Sequence, residues 1–121
     1  MIRNELLTAQ VGLFSALADP IRLQILALLH QKGPMPVTQI YETLGKAQNL
    51  VSHHLSCLKT CGLVTVEKQG RMAIYRISDP EIDRILDWSQ KQVFNQAERI
   101  LSCKIVVGKK PKSKAKIKGS R

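Results

Sequence analysis

The sequence predicts a small, mainly α-helical domain that carries one β-hairpin. Apolar residues recur at helical spacing through most of residues 3–62 and again after Pro80, which indicates a series of amphipathic helices. Between these regions, two short runs rich in β-branched residues flank Gln69 and Gly70, which predicts two strands joined by a tight turn. The length of 121 residues suits one domain with a small core, so a dimer would add stability.

Local signals divide the helical regions into separate helices. Asp19 and Pro20 predict a helix start, with Asp19 as the cap and Pro20 in the first helical position. A segment rich in glycine and proline, residues 32–36, breaks that helix, and Gly45 and Gly62 end the next two. The predicted helices cover residues 3–18, 20–31, 37–44, 48–61 and 80–101.

The hairpin follows the fourth helix directly, with predicted strands over residues 63–68 and 71–77. A short helix, a tight turn and a second helix followed by a hairpin is the winged helix-turn-helix arrangement. In that arrangement the second helix enters the major groove of DNA. Residues 48–61 are therefore the predicted recognition helix.

The positive charge is unevenly distributed along the chain. The formal net charge is +10, but eight of the 19 basic residues lie in residues 104–121, which contain no acidic residue. We therefore predict a folded DNA-binding and dimerisation domain over residues 1–103 and a flexible basic tail over residues 104–121. The tail either stays solvated or adds non-specific affinity for phosphate.

Composition also bears on compartment and cysteine chemistry. No apolar run approaches the roughly 20 residues that span a bilayer, and no signal peptide precedes the first helix, so we expect a cytoplasmic protein with no membrane partner. Three cysteines in a reducing compartment do not predict a disulfide framework. Metal binding, redox chemistry and simple burial remain open.

A helical wheel separates the recognition helix into faces. Val51, Leu55 and Leu58 share a face that must pack inward, and a polar face lies about 130° away, on the 100° per residue of an α-helix. Polar side chains of this kind bond to base edges and phosphates, and a basic hairpin tip adds phosphate or minor-groove contacts. The alternative is an ordinary solvated face. The predicted DNA-binding residues are Asn49, Ser52, His53, Ser56, Lys59 and Arg71.

Cys57 and Cys61 occupy a third sector of the same helix. They are four residues apart, so both sulfurs leave one face, too far apart for an unstrained disulfide. Their spacing leaves core packing and thiophilic metal binding both open. His54 points towards this sector, where a packed, hydrogen-bonded histidine is favoured over a metal ligand. Cys103, at the end of the last helix, is a candidate third sulfur.

Two segments resemble the ArsR/SmtB family of metalloregulatory repressors. Residues 17–26, with the sequence LADPIRLQIL, resemble the second-helix signature of that family. Residues 51–64, with the sequence VSHHLSCLKTCGLV, resemble its recognition helix and first wing strand, and Gly70, Arg71 and Tyr75 match its wing. The resemblance covers about residues 10–78. It implies a homodimer that dimerises through its first and last helices, binds operator DNA and is released by a metal ion.

Within the family, residues 55–64 are similar to the CmtR-type cadmium/lead sensors. Those sensors place two ligands in the recognition helix and take a third cysteine from the C-terminal region of the other subunit. The resemblance therefore implies Cys57, Cys61 and Cys103 as metal ligands, with Cd²⁺ or Pb²⁺ as inducer and Zn²⁺ as a third candidate. Two departures argue against the metal sites of other subtypes: residues 36–38 lack the cysteines of the arsenic sensors, and residues 81–101 lack the histidines of the zinc, nickel and cobalt sensors.

The sequence thus predicts a metal-responsive transcriptional repressor, without enzymatic activity and without a small organic substrate. One alternative is a regulator of the same fold whose cysteines are structural or redox-sensing. An enzyme with a cysteine nucleophile would need a base and an oxyanion site that the sequence does not offer. A chromatin-like protein would bind through its lysine tail, with a steep salt dependence and no sequence preference.

Overall fold

The structure, a computed structural model, describes residues 3–103 and has the predicted helices and hairpin in the predicted order. The predicted basic tail, residues 104–121, lies outside the described residues. The chain divides into two compact units after Asp83. The helices are α1 (Arg3–Leu17), α2 (Pro20–Lys32), α3 (Val37–Leu44), α4 (Gln48–Thr60) and α5 (Pro80–Ser102), and the strands are β1 (Met35–Pro36), β2 (Val64–Gln69) and β3 (Met72–Ile77).

The sheet has one strand more than the predicted hairpin. Its order is β1-β3-β2 with antiparallel pairing, and Met35 lies opposite Tyr75. The segment before α3 is expected from sequence only to break a helix, since two residues are too short to show strand alternation. The pairing of β1 with β3 ties the start of α3 to the hairpin.

The hairpin turn lies one residue later than predicted. Gln69 pairs with Met72, so Gly70 and Arg71 form the two-residue loop in place of Gln69 and Gly70. Gly70 has a φ of 63°, and a glycine with positive φ in the first loop position is typical of a type II′ turn. Arg71 consequently occupies the tip of the wing.

The core of the first unit lies between α2, α3, α4 and the sheet. Its fully buried members are the branched aliphatic side chains Ile25, Leu26, Ile40, Val51, Leu55, Leu58 and Val64. Helices α2 and α3 each pack against α4, and α4 packs against β2. The inward face predicted for α4 is therefore confirmed, and it holds the recognition helix against the rest of this unit.

The start of α2 is capped as predicted. Asp19 Oδ2 accepts hydrogen bonds from the backbone N–H groups of Ile21 at 2.9 Å and Arg22 at 3.0 Å, and Pro20 occupies the first turn. The N–H of Arg22 holds the pKa of the Asp19 carboxyl below its ordinary value of 3.8, although partial removal from water acts in the opposite direction. The cap is thus strongest when Asp19 is ionised.

Replacing Asp19 by alanine is expected to lower the free energy of unfolding by about 1 kcal/mol at neutral pH, since two N–H groups of α2 lose their acceptor. The lowered pKa gives a contribution that is complete above about pH 4 and is lost as the pH falls through the folded-state pKa. Urea unfolding at pH 7, 5 and 3 measures both effects. Asp19→Asn, which keeps an acceptor without the charge, and Glu42→Gln, on the exposed side of α3, are the controls. If Asp19→Ala lowers the free energy of unfolding equally at all three pH values, the charge of Asp19 does not contribute to the cap.

Helix α5 departs from the continuous helix predicted for residues 80–101. Its backbone leaves helical geometry at Gln96, where φ is −135° and ψ is 30°.

Within residues 3–103 no single helix is long and apolar enough to cross a membrane, and α1 and α2 pass such a test only as a pair bent by 78°.

Candidate nucleic-acid interface and cysteine pair

The recognition helix presents its predicted polar face to solvent. Every predicted contact residue on α4 is exposed, and so is Arg71 at the wing tip. Lys59 supplies the basic group in the last turn of the helix. The structure thus displays these side chains as a DNA contact requires, and their contact with DNA remains a prediction.

Both ends of α4 follow from local chemistry. At the N-terminal end, Ala47 makes no side-chain cap, as its methyl group dictates. At the C-terminal end, Gly62 has a φ of 81° and donates its N–H to the carbonyl of Lys59 at 3.0 Å, while Leu63 donates to Leu58 at 2.9 Å. This pair of bonds is the Schellman motif, and the buried Leu58 and Leu63 side chains accompany it.

The wing is fastened to this turn at its base. The hydroxyl of Ser78 donates to the carbonyl of Gly62 at 2.6 Å, and its backbone N–H donates to the carbonyl of Leu63 at 3.2 Å. Arg76 is paired across the hairpin with Glu67 at 3.1 Å. These hydrogen bonds connect the turn after α4 to the base of the wing, and Arg71 lies at the far end of the wing.

The cysteine pair lies at the junction of α4 and the wing. Cys57 is half-buried and Cys61 is exposed, and both are free thiols. The N–H of Cys61 donates to the carbonyl of Cys57 at 3.0 Å, so the two residues are one helical turn apart. Two soft sulfur donors with one accessible member suit a thiophilic ion, and neither lies on the proposed DNA-binding face.

The third predicted ligand, Cys103, follows α5 in the second unit. It is half-buried, and its N–H donates to the carbonyl of Ile100 at 3.2 Å. Among residues 3–103 of one chain, no three histidine, cysteine or acidic side chains gather into a group that could hold a metal ion.

Sequence reasoning missed two polar contacts between helices. His54 is buried, and its Nδ1 lies 3.4 Å from Nη1 of Arg22. His30, at the end of α2, has its Nδ1 2.6 Å from a carboxylate oxygen of Asp83. Periodicity identifies which face of a helix is polar, but it does not indicate which distant residue the side chain meets.

An apolar face of α1 is exposed within the described residues 3–103. Leu7, Val11 and Phe14 are about 60% exposed, at 60%, 59% and 61%, although their spacing is that of a buried helix face. They line a groove of about 480 Å³ together with Gln10, Ser15 and Ala18. Helix α5, considered by itself, also exposes large side chains, among them Trp88 at 62%. Contiguous exposed apolar surface of this kind marks an interaction site.

A helix-turn-helix packed on an apolar core, an exposed polar face on its second helix and a hairpin wing define a winged-helix DNA-binding regulator. Over residues 19–66 the sequence matches the family described as bacterial regulatory protein, arsR family. It is 32% identical over 95 residues to a probable mercury resistance operon repressor of Streptomyces lividans, which spans 78% of this chain and 75% of the relative. The chain belongs to the ArsR family of transcriptional regulators, and it is not an enzyme.

Two further likenesses agree with this assignment. The sequence is 40% identical over 79 residues to the HTH-type transcriptional regulator CmtR of Mycobacterium tuberculosis, across 65% of this chain and 66% of the relative. The fold matches the solution structure of a homodimeric winged helix-turn-helix DNA-binding domain from Mycobacterium bovis, a possible ArsR-family regulator. That match has a TM-score of 0.73 and 32% identity, and it covers 80% of this chain and 89% of the other.

Proposed function

We propose that this protein is a homodimeric repressor that binds operator DNA and is released when a thiophilic metal ion binds Cys57 and Cys61. The observation that carries the proposal is the position of these two thiols: they lie on the recognition helix, off its DNA-binding face and beside the wing. A ligand held there acts directly on the element that reads DNA. The likeness to a probable mercury resistance operon repressor supports a soft metal as the inducer.

DNA binding is assigned to the polar face of α4 and to the wing tip. Asn49, Ser52 and Ser56 offer neutral donors and acceptors for base edges, while Lys59 and Arg71 offer positive charge for phosphates. His53 lies at the edge of this face and is also exposed. Residues 1–103 would supply this function, and residues 104–121 would add non-specific affinity at most.

Dimerisation is assigned to the exposed apolar side chains of α1 and α5. The groove beside Leu7, Val11 and Phe14 is apolar and open, so a second copy of the chain would remove it from water. The likeness to a homodimeric solution structure from Mycobacterium bovis supports a dimer as such. A two-fold dimer would place two recognition helices on successive major grooves of a palindromic site.

The metal site is assigned to Cys57, Cys61 and Cys103 of the partner subunit. Three thiolates suit Cd²⁺ or Pb²⁺, whereas Zn²⁺ prefers a fourth ligand. When bound, the ion would supply a cross-link between thiolates that are otherwise independent. Because Cys61 directly precedes Gly62, which is bonded to Ser78 of the wing, restraint of Cys61 would act on helix and wing together. The required coupling free energy is about 1–3 kcal/mol.

A metal titration of the full chain tests this proposal. A duplex is first selected from a random-sequence library by the metal-free protein, and its affinity is then measured by fluorescence anisotropy with and without Cd²⁺. We expect sulfur-to-metal absorption in the ultraviolet that saturates with Cd²⁺, together with an affinity loss of about 5- to 150-fold. Mg²⁺, a hard ion that thiolates bind poorly, is the matched control.

Each outcome bears on a different part of the proposal. If Cd²⁺ produces the absorption band but leaves the affinity unchanged, the thiols bind metal without regulating DNA binding. If no band appears, the protein is a regulator of the same fold whose cysteines have another role. If no duplex is enriched over a shuffled sequence of equal composition, the assignment of sequence-specific DNA binding is wrong.

A further inference from the structure

A single arginine side chain connects the end of α1 to the middle of the recognition helix. Arg22, in the first turn of α2, donates from Nε to the carbonyl of Ala16 at 2.9 Å and from Nη2 to the carbonyl of Ser15 at 3.4 Å. Its Nη1 lies 3.4 Å from Nδ1 of His54 on α4. The carbonyl of Ala16 lies in the last turn of α1, where carbonyls lack partners within the helix, so the guanidinium supplies it with a donor while it also contacts α4.

His54 receives this contact at a buried position on α4. It is the buried polar side chain of residues 3–103, at 9% exposure, and it lies on the same helix as the fully buried Leu55 and Leu58. An Nδ1 that accepts from Arg22 leaves the ring proton on Nε2. The carboxylate of Asp19 lies 3.8 Å from Nδ1, beyond hydrogen-bond distance.

The contact continues from His54 to the surface of the helix. The rings of His53 and His54 meet edge to face, with centroids 5.4 Å apart and planes at 68°. His53 is exposed at the edge of the proposed DNA-binding face. A continuous series of contacts therefore joins the end of α1, through Arg22 and His54, to a side chain that would meet DNA.

We propose that Arg22 and His54 are positioning residues for DNA binding, which set the orientation of α4 and of the His53 ring. This inference rests on the DNA-binding function proposed above. The planar guanidinium makes its contacts in one fixed geometry, and lysine, with a single ammonium group, cannot reproduce them together. Because α1 carries the surface assigned to the dimer, the same contacts would connect the dimer interface to the recognition helix.

Three substitutions in the full chain test the proposal. Arg22→Lys keeps the positive charge but loses the planar guanidinium with its several donors. His54→Leu removes the acceptor, and His54→Gln retains an acceptor. We expect the first two to weaken binding of the selected duplex about tenfold, as the loss of one hydrogen bond to a charged group predicts, and His54→Gln to recover most of the affinity. Arg3→Lys, at the exposed start of α1, is the matched control.

Two readouts separate positioning from a loss of stability. In the double variant Arg22→Lys, His54→Leu, the loss of affinity should not exceed the larger of the two single-variant losses, because both substitutions break the contact between Arg22 and His54. The imidazole proton resonances of His53 should shift in Arg22→Lys, with thermal melting confirming a folded protein at the assay temperature. Unchanged affinity in both single variants, or additive losses in the double variant, would overturn the inference. If the wild-type protein selects no duplex, the proposed function itself fails.

Discussion

Replacing Cys57 and Cys61 together by serine is expected to abolish the response to Cd²⁺ while DNA binding without metal stays near that of the parent protein. Serine has nearly the size of cysteine, and its hydroxyl can bond to the carbonyl four residues earlier in a helix. Hard oxygen is a poor ligand for Cd²⁺ compared with thiolate. Anisotropy with the selected duplex should show the loss of affinity on Cd²⁺ addition shrinking to less than about twofold, against 5- to 150-fold in the parent.

Cys103→Ser is the matched substitution outside α4. If the partner subunit supplies this sulfur, the variant should bind Cd²⁺ through Cys57 and Cys61 with weaker sulfur-to-metal absorption and should release DNA incompletely. A full response in this variant would remove Cys103 from the site and leave the pair on α4. A full response in the double α4 variant would show that the recognition helix is not the metal site.

Leu55→Ala is expected to lower the free energy of unfolding by about 3 kcal/mol. Core substitutions of this kind usually cost about 2–5 kcal/mol. Leu55 is fully buried on the inward face of α4, so the substitution removes apolar contacts and leaves a cavity under the recognition helix. A domain with about 5–15 kcal/mol of total stability would lose a large part of it. Urea unfolding followed by far-ultraviolet circular dichroism measures the change.

Leu50→Ala provides the comparison on the same helix. Leu50 is 38% exposed, so the same chemical change removes fewer contacts and creates no closed cavity. Its effect should be clearly smaller than that of Leu55→Ala. Equal losses would mean that α4 is not anchored through its inward face, and the separation of a packing face from a DNA-binding face would then fail.

The sequence predicted the helices well because their signals are local. The cap at Asp19 and the helix end at Gly62 depend on groups within five residues of each other, and both are confirmed by hydrogen bonds in the structure. The buried face of α4 follows from the 3.6-residue period. The resemblance to the ArsR family rests on contiguous motifs in these same elements, so it could also be identified from the sequence.

Features that are short, or that depend on distant residues, were harder to predict from the sequence. Strand β1 has two residues, and only its pairing with β3 identifies it as a strand. The hairpin turn was predicted one residue too early because a glycine can stand first or second in a two-residue loop, and Gly70 stands first. The break at Gln96 in α5 was not predicted, because no glycine or proline lies near it in the sequence.

The candidate site also combines features that the sequence predicts with contacts that only the structure shows. The exposure of the polar face of α4 and the shared sector of Cys57 and Cys61 follow from positions along one helix, and the sequence by itself determined both. Only the tertiary structure brought Arg22 to His54, 32 residues along the chain, and His30 to Asp83, 53 residues along it. The physical reason is range: helix periodicity and capping act over one or two turns, whereas these contacts depend on how α2 packs against other elements once the apolar core has closed.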